Sequence, residues 1–177
     1  MHDTVPAKAL GAGSLKQETP LGELGEDARL AVAGFALAQP NWDGVICLPG
    51  DPSHWVHLSA GEVVSFQSFL TLRIAQALGG AGVPDPGAVQ DTMARPERLA
   101  THLRSAALGR NNDEILGHLV GAELAAARAY WLGQKVIVLG DGARAEGYVT
   151  LLGSQGVPVT RGDLATCVDA ARSALKT

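Results

Sequence analysis

Apolar positions change their period twice along this chain, and the changes mark out its elements. Residues 1–26 are rich in Gly, Pro, Glu and Lys, show no sustained period, and read as an extended lead-in. Glu26 to Leu37 (EDARLAVAGFAL) puts acidic residues in a first turn, followed by Leu30, Val32, Phe35 and Leu37. That pattern predicts a short helix, which Pro40 stops. Gly44–Leu48 (GVICL) is a continuous apolar run of strand length, closed by Pro49-Gly50. Ser53–Ser59 (SHWVHLS) then alternates Trp55, His57 and Ser59 against His54, Val56 and Leu58. Ala60-Gly61 makes a turn, and EVVSFQSFL follows. Three strands joined by two tight turns predict an antiparallel meander.

Beyond residue 70 the period becomes helical. Residues 70–79 read as a helix, and 80–94 as a loop with at most one helical turn. Arg95–Leu108 reads as a helix with Pro96 in its first turn. Asn111, with Glu114 three residues on, caps a long helix striped by Ile115, Leu116, Leu119, Val120, Leu124, Ala127 and Trp131. Gly133 ends that helix. Lys135–Gly140 (KVIVLG) is a second buried strand, and Asp141-Gly142 opens a helix to about Leu152. Gly156–Thr160 (GVPVT) reads as a short strand, and Asp163 as the cap of a last helix to about Leu175. The sum is an α/β domain, a meander followed by alternating helices and strands in a mixed sheet, with no boundary required inside 27–177.

Composition narrows the function classes. The chain has 177 residues, 46% hydrophobic and 18% charged, with a net charge of −4. Lys and Arg are scattered, with no basic stripe interleaved with aromatics, so nucleic-acid binding has no electrostatic footprint. No apolar run has membrane-spanning or signal-peptide length. Cys47 and Cys167 lack CxxC spacing and read as buried thiols of a reducing compartment, the cytoplasm, with a disulfide between them as the alternative.

Four places attract attention as chemistry. The turn carrying Gly50, Asp51, Ser53 and His54 lies between two strands, where backbone amides and a hydroxyl can be aimed at a phosphate. It serves equally as a plain Gly/Pro hairpin, and Asp51 reads either as turn chemistry or as a water-mediated Mg²⁺ ligand. Gly140, Asp141 and Gly142 join a strand to a helix, an arrangement that admits a ligand near the backbone or no ligand at all. It is not GxGxxG, because position 145 is Ala. Gly117 and Gly121 on the long helix permit close packing, and Glu123 beside them reads as a solvated carboxylate or a functional one. The five histidines have no zinc-like spacing, so no metal site built from protein ligands is expected.

Taken together the segments resemble a family. ICLPGDPSHWVHLSAGEVVSFQSFLT is similar to the 2-dehydro-3-deoxygalactonokinase segment that begins LPGTHSKWV and ends MTGEL. GHLVGAELAAARAYW is similar to that family's GLLIGAE helix, and VIVLGDGARAEGYVTLLGSQGVPVT to its final strand–glycine–helix unit. Gly25-Glu26-Asp27 stands where the family carries an acidic motif, which marks Glu26 and Asp27 as candidates. The resemblance implies a lobe of RNase H-like, actin-like ATPase fold. It implies transfer of the ATP γ-phosphoryl, with Mg²⁺ bridging phosphates, to the 6-hydroxyl of 2-dehydro-3-deoxy-D-galactonate. It also implies that the Pro49–Trp55 turn, with Gly50, Asp51, Ser53 and His54, forms the second phosphate-binding loop and that Gly140–Gly142 touches the adenosine.

The departures from that pattern are informative. HDTVPAKALGAG looks like the end of the family's N-terminal lobe, so the first phosphate loop is not in this sequence. In the second loop, family Thr-His is Asp51-Pro52 and family Lys is His54, while family T-G-E-L reads Thr71-Leu72-Arg73-Ile74. A carboxylate beside polyphosphate adds like charge, and Pro52 removes a backbone donor. Loss of one transition-state contact typically costs ~10²–10³ in rate. The expectation is a truncated kinase lobe without turnover of its own, completed by a separate N-terminal lobe. The alternative is a non-catalytic module that binds nucleotide or sugar acid, or dimerises. An apolar face left open by a missing lobe predicts a homo-oligomer.

Overall fold

The computed structural model describes residues 2–177. In chain order the strands and helices are β1 (His2–Thr4), β2 (Ala7–Lys8), β3 (Ser14–Gln17), β4 (Gly22–Leu24), α1 (Glu26–Ala38), β5 (Gly44–Leu48), β6 (Ser53–Ser59) and β7 (Glu62–Phe69). Then follow α2 (Thr71–Ala77), α3 (Pro86–Ala94), α4 (Leu99–Gly109), α5 (Asn112–Ala126), α6 (Arg128–Trp131), β8 (Val136–Leu139), α7 (Gly142–Ser154), β9 (Val159–Gly162) and α8 (Leu164–Ala174). Two compact units emerge, a division that the periodicity did not show. One holds the residues up to Pro49 with His54–Ser68 and Tyr130–Thr177; the other holds Gly50–Ser53 and Phe69–Ala129.

The first unit is built on a six-stranded sheet in the order β2-β7-β6-β5-β8-β9. Strand β5 pairs antiparallel with β6, Cys47 opposite Trp55, and parallel with β8, Cys47 opposite Val138. Strand β9 extends the parallel side, and β2 closes the far edge antiparallel to β7. The β6–β7 hairpin turns on Ala60 and Gly61, both at positive φ (49° and 75°), the backbone of a two-residue turn that matches strand twist. Ile46, Leu48, Val56, Phe66, Ile137 and Leu139 form one core with Leu30, Val32 and Phe35 of α1 and Ala171 of α8. On β5 the alternate residues Val45 and Cys47 are also buried. Trp55, opposite Cys47, packs near Tyr148 of α7. A central strand covered on both faces explains why GVICL reads as an unbroken apolar run rather than an alternating one.

Residues 2–24 carry four short strands, and these are paired. Strands β1, β3 and β4 form a three-stranded sheet, and β2 joins the large one. The organiser is Arg29 of α1, only 1% exposed. It donates to the carbonyls of Lys8, Ala9 and Ala12 and to the Asp3 carboxylate, at 3.1, 3.0, 3.0 and 2.7 Å. One buried guanidinium thus ties much of this run to α1, a link that hydrophobic periodicity cannot register, while Ala9, Leu15 and Leu24 join the core.

The second unit is helical. Asp85 accepts from the Ala88 amide at 2.8 Å and Pro86 opens α3, so most of the stretch expected as loop is a nine-residue helix. Its buried residues include Ala88 and Thr92, which a count of large apolar residues misses. The helix expected over Arg95–Leu108 is divided into a 3₁₀ turn, Pro96–Arg98, and α4. Asn111 caps α5 as expected, accepting from the Glu114 amide at 3.2 Å. Gly117 and Gly121 lie against α3: a Cβ there would fall 2.6 Å from the Asp85 carbonyl oxygen and 2.5 Å from that of Val89. Helix α5 ends at Ala126 rather than running to Trp131, because Ala127 leaves helical geometry and α6 starts afresh. The apolar stripe survives the break, since Ala127 and Trp131 both stay buried. Strand β9 begins at Val159, later than expected, because Pro158 has no amide hydrogen for the ladder.

Candidate functional site

Parallel strands β5 and β8 end side by side at Leu48 and Leu139. The segments leaving them therefore meet: a Cβ on Gly140 would lie 3.5 Å from Cδ of Pro49. Ligands of open α/β sheets bind at this carboxyl edge, where connections from neighbouring strands diverge. Two of the sequence candidates thus start from one edge of one sheet.

In the turn after β5, Gly50 and Asp51 lead to a cis Asp51–Pro52 peptide. Ser53 is 1% exposed, and its Oγ has no hydrogen-bond partner among the described residues. A buried hydroxyl without a partner is uncommon, and it commonly marks a place for a ligand or water. Asp51 is held by Arg73 of α2, whose Nη2 lies 3.2 Å from Oδ1 and whose Nε donates to Oδ2 at 3.3 Å. The like charge expected from a carboxylate in this loop is thereby compensated within the protein. His54, the next residue, is buried and its Nδ1 lies 2.7 Å from Ser68 Oγ. Burial pushes its pKa down to about 4, so the imidazole is neutral near pH 7 and lends the turn no charge.

At the second segment, Gly142 begins α7 with φ of +66° and nothing within 4 Å of its would-be Cβ, an open backbone position that needs glycine. Asp141 is the N-cap residue, yet its side chain caps no amide. Arg161 of β9 steadies the loop instead. Its Nε donates to the Gly140 carbonyl at 3.2 Å, its guanidinium bonds Glu146, and it lies 3.9 Å from Asp141. An open glycine and uncapped amides at a helix N-terminus suit the approach of an uncharged or anionic group.

Glu26 and Asp27 stand in the first turn of α1, and Asp27 pairs with Arg172 of α8 at 3.0 Å. With Leu30, Leu175 and Lys176 they line a cleft of about 370 Å³. Asp27 is thus tied to α8. Glu123 is no solvated carboxylate: it is buried and accepts from Thr71 Oγ1 at the start of α2. Three histidine-region groups also come together. His118 Nδ1 lies 3.1 Å from the Ala88 carbonyl, which can only accept, so that nitrogen carries hydrogen. Thr92 Oγ1 sits 2.9 Å from His118 Nδ1 and 3.0 Å from His102 Nδ1. Burial, and then the neighbouring His102, lower the His118 pKa.

Arg73 and Arg161 escaped sequence reasoning as site residues. Arg73 was visible only as a departure from the family pattern. Arg161 gave no signal, its partners lying 15 to 21 residues away.

The mixed sheet with its meander, two parallel strands and helical cover is an α/β fold with loops leaving the carboxyl edge of β5 and β8. A family model for 2-keto-3-deoxy-galactonokinase matches residues 24–83 and 92–175. The chain belongs to that family. Its fold matches the crystal structure of a Sinorhizobium meliloti protein carrying a provisional 2-dehydro-3-deoxygalactonokinase name, at 23% identity and a TM-score of 0.84. The match covers 98% of this chain and 72% of that one. No curated protein matches the chain. Among the described residues, no helix is long and apolar enough to cross a membrane.

Proposed function

We propose that this chain holds Mg·ATP at the carboxyl edge of β5 and β8 and serves phosphorylation of 2-dehydro-3-deoxy-D-galactonate at its 6-hydroxyl, in the cytoplasm. The observation that carries the reading is Ser53 Oγ, buried and without a partner in its glycine turn. A phosphate oxygen supplies the acceptor that this hydroxyl lacks, and the first amides of α7 favour the nucleotide side of the same edge. Mg²⁺ arriving with the nucleotide offsets phosphate charge. Asp51 is engaged by Arg73, so the phosphates themselves are the main ligands of the ion. The remaining catalytic work is positioning. The chain's own residues supply phosphate contacts, and a second lobe carrying the first phosphate loop supplies what completes turnover.

A second reading is binding or self-association without catalysis. It is favoured by Leu70, Ile74 and Leu78, which stand four residues apart along α2 and its flanks and are all exposed. Such a stripe suits burial against another copy, as a homo-oligomer. Calorimetric titration with Mg·ATP, repeated with 2-dehydro-3-deoxygalactonate present, tests the first reading. Saturable heat supports the nucleotide site, and no heat at millimolar ligand removes it. Sedimentation as a monomer throughout the micromolar range removes the oligomer.

A further inference from the structure

We propose that Arg73 is the cation through which the turn after β5 grips the phosphates of its nucleotide, an inference that rests on the phosphate-loop reading above. The case begins with charge. A polyphosphate needs positive charge or amides at its site, and Pro52 has no amide hydrogen to give. Within the turn, Asp51 is an anion and His54 is neutral near pH 7. Without a cation from elsewhere, the segment Gly50–His54 would carry a formal charge of about −1 and repel the ligand. Arg73 is the only side-chain cation bonded to this turn among the described residues.

Geometry adds the second part. Asp51 engages Arg73 along one side, through Nε and Nη2. A guanidinium has five N–H donors in a fixed plane, so the Nη1 pair and the outer Nη2 hydrogen are still available to a second acceptor. Arginine commonly presents two such donors to one phosphate. The Arg73 side chain is 60% exposed, so a ligand can reach it, whereas the Asp51 side chain is 32% exposed and fixes it from beneath. The carboxylate that looked unfavourable in the sequence is then an orienting group: it holds the fork ready, and the fork meets the phosphate. Arg73 stands on α2 four residues after Phe69, the last residue of β7, and Thr71 in the first turn of α2 is tied to buried Glu123. The helix that carries the guanidinium is therefore anchored, which limits how far the cation can drift.

The test compares wild type, Arg73→Gln and Arg73→Lys by calorimetry, with Mg·ATP and with adenosine as separate probes. Arg73→Gln should weaken Mg·ATP binding at least about tenfold while adenosine binding is unchanged. Arg73→Lys should fall between, because a point charge lacks the planar fork. Equal ATP affinity in wild type and Arg73→Gln overturns the assignment, as does an equal loss for ATP and adenosine, which marks a merely structural effect. Wild type that binds no ATP overturns the phosphate-loop reading itself, and the role of Arg73 with it. A wild type that binds ATP while the variants match it leaves that reading standing and removes only Arg73.

Discussion

Acid should destabilise this protein through His54, and the size of the effect follows from its burial. In the folded chain the imidazole has a pKa of about 4, against 6.5 for an unhindered histidine. The folded state then binds fewer protons than the unfolded state between those values, so stability rises with pH there and is lost as pH falls from about 6.5 towards 4. At ~1.4 kcal/mol per pKa unit the full difference is about 3 kcal/mol. The share lost between about pH 7 and pH 5 is about 2 kcal/mol. His54→Asn keeps a polar group near the position of Nδ1, which faces Ser68, but has no proton to gain in this range. Urea unfolding of both proteins at the two pH values gives four stabilities. The baseline of the variant is not the readout, because a smaller side chain leaves space behind; the pH slope is. Other groups, including His118 with its own lowered pKa, act in both proteins and cancel in the difference. A variant that loses as much stability between the two pH values as wild type refutes the reasoning. So does an NMR titration that finds His54 protonating near 6.5.

Three further outcomes are expected. Ser53→Ala removes a buried hydroxyl without a partner, so the unliganded protein should gain up to ~1 kcal/mol in urea unfolding while Mg·ATP binding weakens; a marked loss of stability counts against the hydroxyl being unpaired. Gly121→Ala forces a methyl to within 2.5 Å of the Val89 carbonyl oxygen and should destabilise by about 1–3 kcal/mol, measured by thermal melting; a neutral result would show that α3 and α5 separate freely. Arg29→Lys keeps the charge but lacks the fork that meets four carbonyls and Asp3, and should cost about 3 kcal/mol in the same assay; a loss below ~1 kcal/mol would mean that the segment is held mainly by its other anchors.

What the sequence disclosed depended on which physical signal each element uses. Strands β5 and β6 were found to the residue because apolar runs and alternation end at Pro49-Gly50 and Ala60-Gly61, residues that also fix the turns. The caps at Asn111 and Asp163 were legible because a side chain and an amide three residues on are a local pair. Helix α3 was hidden because it packs with Ala and Thr beneath two glycines. The site was half legible. Glycines and Ser53 announced the turns, but the pairing of Asp51 with Arg73 spans 22 residues, and each looked like a loss when taken alone. The neutral state of His54 depends on burial, which only the folded chain fixes.

The Arg29 arrangement has a consequence for how the protein breathes. The acceptors that hold the first segment are carbonyls of Lys8, Ala9 and Ala12, and one side chain serves them all. If that guanidinium swings out, the contacts go together rather than one by one, and β1, β2 and the turn before β3 lose their polar tie to α1. Native-state hydrogen exchange should therefore show the protected amides of His2 to Leu24 opening as one cooperative block, at a lower free energy than β5 and β8 in the centre of the sheet.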